Sequence, residues 1–122
     1  MIEILGKIVT VTVDRPLGSC HPRYPELIYP INYGYVAGVM GGDGEAQDAY
    51  VLGVDMPLET FEGRVVAVIH RLDDEENKWV VAPEGSMYTA EDIEKAVAFQ
   101  EKFFCHELLM AMPFSAHTIQ RF

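Results

Sequence analysis

Residues 8–14 alternate without a break: Val9, Val11 and Val13 fall on one side of an extended chain, Thr10, Thr12 and Asp14 on the other. A period of two marks a half-buried strand, and Pro16 ends it. Similar segments recur at 32–39, 49–54, 64–72 and 78–82. Four prolines make 16–30 extended and irregular, Met40–Glu45 carries the Asp-Gly signal of a tight reversal, and 57–63 reads as a loop. Residues 73–76 form an acidic turn, with 78–82 returning as the hairpin partner of 64–72. One helix follows. Thr89 can cap it, with Asp92 completing a capping box. Ile93, Ala96, Val97, Phe103, Phe104 and Leu108 fall near helical spacing, and Pro113 sets its latest end. Short strands first and one helix last predict a β-rich α+β domain built on a small barrel.

A chain of 122 residues is one domain by length, 1–122. Nine basic against 19 acidic residues give a formal charge of −10. That balance argues against nucleic acid and against an anionic membrane surface as partners. An anionic ligand would need metal ions as intermediaries. Cys20 and Cys105 make neither a disulfide framework nor a zinc set, so free thiols in a reducing compartment are expected. No apolar run approaches a membrane span, and the start alternates rather than forming a signal peptide. The expectation is a cytoplasmic domain.

Three constellations carry chemistry. Asp43, Glu45 and Asp48 lie within six residues around a glycine turn. Hard cations take such oxygen ligands, and a solvated hairpin tip is the other reading. An EF-hand is excluded, because Asp48 stands where the loop needs glycine and Val54 where it needs glutamate. Asp73, Asp74, Glu75 and Glu76 repel one another unless solvated or bridged by a cation. Lys78, two residues beyond Glu76, shares its strand face and could hold a phosphate oxygen. Tyr24, Tyr29, Tyr33 and Tyr35 could pack a barrel end, while Tyr33, between Asn32 and Gly34, could present its hydroxyl to a water or phosphate. The four histidines match no metal motif, and no phosphate-cradling glycine loop or serine-nucleophile motif occurs.

Tyr29-Pro-Ile-Asn-Tyr-Gly-Tyr, the acids at 43, 45 and 48, and the later Lys78…Pro83 segment together resemble the family I soluble inorganic pyrophosphatases, over about 9–83. The resemblance implies an OB-like five-stranded barrel with a C-terminal helix outside, and Mg²⁺-dependent hydrolysis of pyrophosphate to two phosphates. By that resemblance Asp43, Asp48, Asp73 and Glu76 hold the metal, and Mn²⁺ is a possible substitute. Glu45 stands at the general-base position and Tyr33 near the nucleophilic water. Arg23 and Lys78 bind phosphate, and Asp14 matches an acidic residue at a strand end. The family is usually oligomeric, which implies a homo-oligomer.

The departures from the pattern are specific. Glu45 and Glu76 replace aspartates. The hairpin before Tyr29 is shortened and lacks the arginine it usually carries. A Tyr-Lys pair of the terminal helix falls on Phe103 and Phe104, so Arg23 and Lys78 are the expected phosphate cations. Two further functions fit the same residues: a metal-dependent phosphohydrolase with another phosphate substrate, and a non-catalytic binding or assembly protein on this scaffold.

Overall fold

The structure is a computed structural model and describes residues 2–73 and 76–110. Its strands are β1 (Ile8–Arg15), β2 (Asn32–Met40), β3 (Ala46–Val51), β4 (Thr60–Arg71), β5 (Asn77–Ala82) and β6 (His106–Met110). The helix α1 (Ala90–Glu101) stands between β5 and β6. Five strands close into a barrel through the order β1-β2-β3-β5-β4 and a further β1–β4 pairing. Only β3–β5 is parallel among these pairs. Closure leaves those strands no open edge to pair with another chain.

Barrel closure depends on the length of β4. Its first residues pair with β1, Thr60 opposite Thr12 and Arg64 opposite Ile8. After an irregularity between Val65 and Ala67, the same edge pairs with β6, Ala67 opposite Met110 and Arg71 opposite His106. A bulge bends a strand and increases its twist, which lets β4 serve both neighbours.

Side chains alternate between two cores. Val11, Val36, Ala49, Val51, Val65, Val68, Trp79 and Val81 fill the barrel interior. Tyr29, Tyr33, Tyr50, Leu52, Ala67, Ile69, Val80 and Ala82 line the outer wall, where Ile93 and Val97 of α1 cover them. Strands β3 and β5 are therefore buried on both faces, which explains their nearly continuous apolar runs and their parallel pairing.

Several boundaries depart from the sequence reading. Residues 60–63 are strand rather than loop: Phe61 packs toward the interior while Thr60 and Glu62 face out. The third strand starts at Ala46, not 49, because the Gly41 N–H bonds Glu45 O at 2.7 Å and Gly44 takes φ +84°, turning the chain at once. The capping box at Thr89 and Asp92 forms as expected. The helix nevertheless stops at Glu101. Phe103 and Phe104 lie in a turn beyond it, and Leu108 belongs to β6. The backbone edge of β4 left bare beyond β1 demands a hydrogen-bonding partner, and tertiary pairing overrides helical spacing there. The tail around Pro113 lies outside the described residues.

Candidate active site

The register assembles the site on the outer wall of the barrel. Tyr33 lies opposite Tyr50, Tyr35 opposite Asp48, and Ile69 opposite Lys78, so these side chains share one face. Lys78 is 4% exposed. Its Nζ lies 2.6 Å from Asp48 Oδ2, 2.9 Å from Glu76 Oε1 and 2.9 Å from Tyr33 Oη. A buried ammonium is tolerable only with such partners. Burial opposes its charge, but Tyr33 and Asp48 outweigh it and hold Lys78 protonated above its ordinary range. Burial pushes the Tyr33 phenol up, so it stays neutral.

Asp43 and Glu76 meet carboxyl to carboxyl. A hydrogen bond from Glu76, joined by the Glu45 N–H at 3.0 Å, lowers Asp43. Burial and that same contact raise Glu76. Two carboxyl groups facing each other are an oxygen pair that a hard divalent cation can bridge, so the donor chemistry fits Mg²⁺ or Mn²⁺. Among the described residues, however, no three metal-ligating side chains are drawn into one coordination cluster. Lys78 stands between Asp48 and Glu76 as their counter-ion.

Beside this cluster runs a cleft of about 670 Å³. Arg15, Arg71 and Lys78 supply its cations. A buried polar chain lies along it. Arg15 donates to Tyr29 Oη at 2.6 Å, Tyr29 donates to Gln100 Oε1 at 3.0 Å, and Gln100 Nε2 donates to Tyr50 Oη at 2.8 Å. Tyr50 donates to Glu101 Oε2 at 2.7 Å. Glu101 in turn accepts from Arg71 Nε at 3.1 Å and its terminal nitrogen at 2.8 Å. Arg71 also reaches Glu76 at 3.0 Å and stacks 3.6 Å from the Phe104 ring centre. The chain thus ties the cleft arginines to the acid cluster.

Of the residues singled out in the sequence, Tyr33, Asp43, Asp48, Glu76 and Lys78 come together. Asp73 does not join them; its carboxylate accepts the Cys105 N–H at 3.2 Å. Glu45 is exposed on the turn and borders a separate shallow hollow with Gly38 and Met40. Arg23 is exposed in the loop whose neighbours His21 and Tyr24 reach the cleft. Asp14 is exposed beside Arg15, and desolvation raises its carboxyl. Asp74 and Glu75 lie outside the described residues.

Arg15, Arg71, Tyr50, Gln100 and Glu101 were not singled out. A signal existed for two of them: Gln100 and Glu101 follow Val97 by three and four residues, on the helix stripe that Ile93 and Val97 bury. Arg71 likewise continues the face of Ala67 and Ile69.

Carboxylates and fixed cations thus stand side by side at one cleft on the outer wall of the barrel. The family model described as Inorganic pyrophosphatase matches residues 3–106. The inorganic pyrophosphatase of Saccharolobus solfataricus is 35% identical over 67 residues, which are 53% of this chain and 36% of that relative. The match therefore spans about a third of the relative's length. Three solved inorganic pyrophosphatases share the fold. That of Ehrlichia chaffeensis has a TM-score of 0.67 at 19% identity, covering 87% of each chain. That of Neisseria gonorrhoeae has 0.62 at 20%, covering 92% of this chain and 83% of its own. That of Thermus thermophilus has 0.59 at 17%, covering 84% and 82%. The chain belongs to the inorganic pyrophosphatase family, and its OB-like five-stranded barrel is the fold of these structures.

Proposed function

We propose that the protein hydrolyses inorganic pyrophosphate to two phosphates in a Mg²⁺-dependent reaction, as a cytoplasmic homo-oligomer. The observation that supports this best is the convergence of Asp43, Asp48 and Glu76 around the buried Lys78, beside a cationic cleft. Asp43, Asp48 and Glu76 would hold the cation, and Asp73 would complete the set by leaving the Cys105 N–H it now accepts from. Bound there, Mg²⁺ or Mn²⁺ supplies charge neutralisation and a more acidic water.

The chain's own residues do the rest. Lys78 holds a phosphate oxygen as a fixed charge and aligns the Tyr33 hydroxyl toward the same oxygen or its water. Arg23 swings from its exposed loop to the outer phosphate. Glu45 takes the proton of the attacking water, and Asp14 sets the local charge beside Arg15. Positioning with electrostatic stabilisation is sufficient for phosphoryl transfer, and no covalent enzyme intermediate is needed.

Phosphate release from pyrophosphate, with Mg²⁺ and with EDTA, tests the reading. Turnover should vanish in EDTA and fall at least about 10²-fold in Asp48→Asn. Persistence in either condition refutes the metal scheme.

A further inference from the structure

The cleft is larger and more aromatic than a small, wholly ionic substrate requires. Its volume of about 670 Å³ lies within the roughly 300–1,000 Å³ of sites for organic ligands. Its cations are Arg15, Arg71 and Lys78, and Glu26 is the acid on its lining. The same lining carries aromatic rings. Tyr24 is 53% and Phe103 66% exposed, with Lys102 Nζ 5.3 Å from the Phe103 ring centre. His21 packs against Tyr24 with ring centres 5.1 Å apart and extends that wall.

Arg15 is held ready for an anion. Its ring contacts are with Tyr29 and Tyr33, at 5.7 and 5.5 Å, and one N–H is used on Tyr29. Among the described residues it forms no salt bridge, so the other guanidinium N–H groups face no carboxylate partner at bonding distance. A guanidinium in that state binds phosphate in a fork. Exposed aromatic faces beside fixed cations are the arrangement that stacks a planar base while its phosphates are gripped.

We propose that this cleft takes a nucleoside diphosphate, with the base against Tyr24 and Phe103 and the phosphates on Arg15 and Lys78. The proposal rests on the phosphoanhydride-cleaving reading above and names a wider substrate class for the same site. The oxygen of water bonds to the terminal phosphorus. The bond from that phosphorus to the bridging oxygen breaks, and the bridging oxygen leaves with its electron pair on the nucleoside monophosphate. The water's proton passes to a site carboxylate and then to solvent. The products are one nucleoside monophosphate and one orthophosphate.

The test measures binding by calorimetry and phosphate release for ADP, pyrophosphate and geranyl diphosphate. It uses the wild-type chain, Arg15→Gln and the double variant Tyr24→Ala with Phe103→Ala. Both aromatic positions are exposed, so the double variant should keep its fold, checked by thermal unfolding. Wild type should bind and hydrolyse ADP. The double variant should lose tenfold or more of ADP affinity while pyrophosphate affinity stays within twofold. Arg15→Gln should weaken both ligands. The proposal is overturned if ADP is not bound while pyrophosphate is hydrolysed, or if the double variant weakens both ligands equally. It is also overturned if geranyl diphosphate binds tenfold better than ADP, or if the double variant dissociates an oligomer that binds no ADP. Binding and cleavage of ADP without cleavage of pyrophosphate would uphold it and refute the proposed pyrophosphatase activity instead.

Discussion

Glu101 offers the sharpest test of how the site is built. Its side chain is fully buried and carries two bonds from Arg71 and one from Tyr50. Glu101→Gln keeps the shape but replaces one oxygen by an NH₂ group. That group must face either the Arg71 guanidinium or the Tyr50 hydroxyl, and both are donors. Removing one partner of a buried ion pair costs about 3–5 kcal/mol. Arg71 keeps Glu76 at 3.0 Å, so the low end, about 3 kcal/mol, is expected. At roughly 4 °C per kcal/mol for a chain of this size, Tm should fall by about 12 °C. The double variant Arg71→Met with Glu101→Leu should recover most of that loss, because an apolar pair carries no desolvation penalty. Phosphate release by this double variant should still be impaired, because Arg71 lines the cleft. Differential scanning fluorimetry and a urea titration measure both effects. A loss below about 1 kcal/mol in Glu101→Gln would refute the claim that this pair anchors α1 to the site.

Glu45→Gln should lower kcat about 10²-fold and leave pyrophosphate binding intact, and an unchanged kcat would transfer proton acceptance to Asp48 or Glu76. His106 lies 2.9 Å from Glu94; burial works against its charge, and Glu94 outweighs it, so its folded pKa is raised. The stabilisation is therefore complete below the unfolded value near pH 6.5 and is lost as pH rises through the raised one. His106→Asn should lower unfolding free energy at about pH 5.5, by under about 1 kcal/mol because Glu94 is half exposed, with no difference at about pH 9 in urea titrations. Gly34→Ala would drive a Cβ into the Thr12 carbonyl and Val13 backbone, which cannot rotate away. A loss of about 2–3 kcal/mol in a urea titration is expected, and a change under about 0.5 would contradict the close β1–β2 approach.

What the chain itself determined is local. Alternation gave β1, the Asp-Gly reversal gave the β2–β3 turn, and Thr89 with Asp92 gave the start of α1. The spacing of Glu76 and Lys78 placed both on one strand face, and the structure brings them to 2.9 Å. Each of these follows from dihedral preference or side-chain period within a few residues. The acids at 43 and 48 were legible for the same reason, as a cluster in sequence.

The remainder was decided by distant pairing. Residues 103–110 carry apolar spacing compatible with a helix, and only the bare edge of β4 turns 106–110 into a strand. Arg15 and Arg71 stand 56 positions apart in the chain. Nothing local distinguishes them from surface arginines. They become cleft cations because β1 and β4 pair to close the barrel, and because α1 lays Gln100 and Glu101 between them. Their charge is held by acceptors 14 and 30 positions away: Arg15 donates to Tyr29 and Arg71 donates to Glu101. Such long-range satisfaction of buried polar groups is a property of the closed fold, and it turned a formal charge of −10 into a site with a cationic cleft.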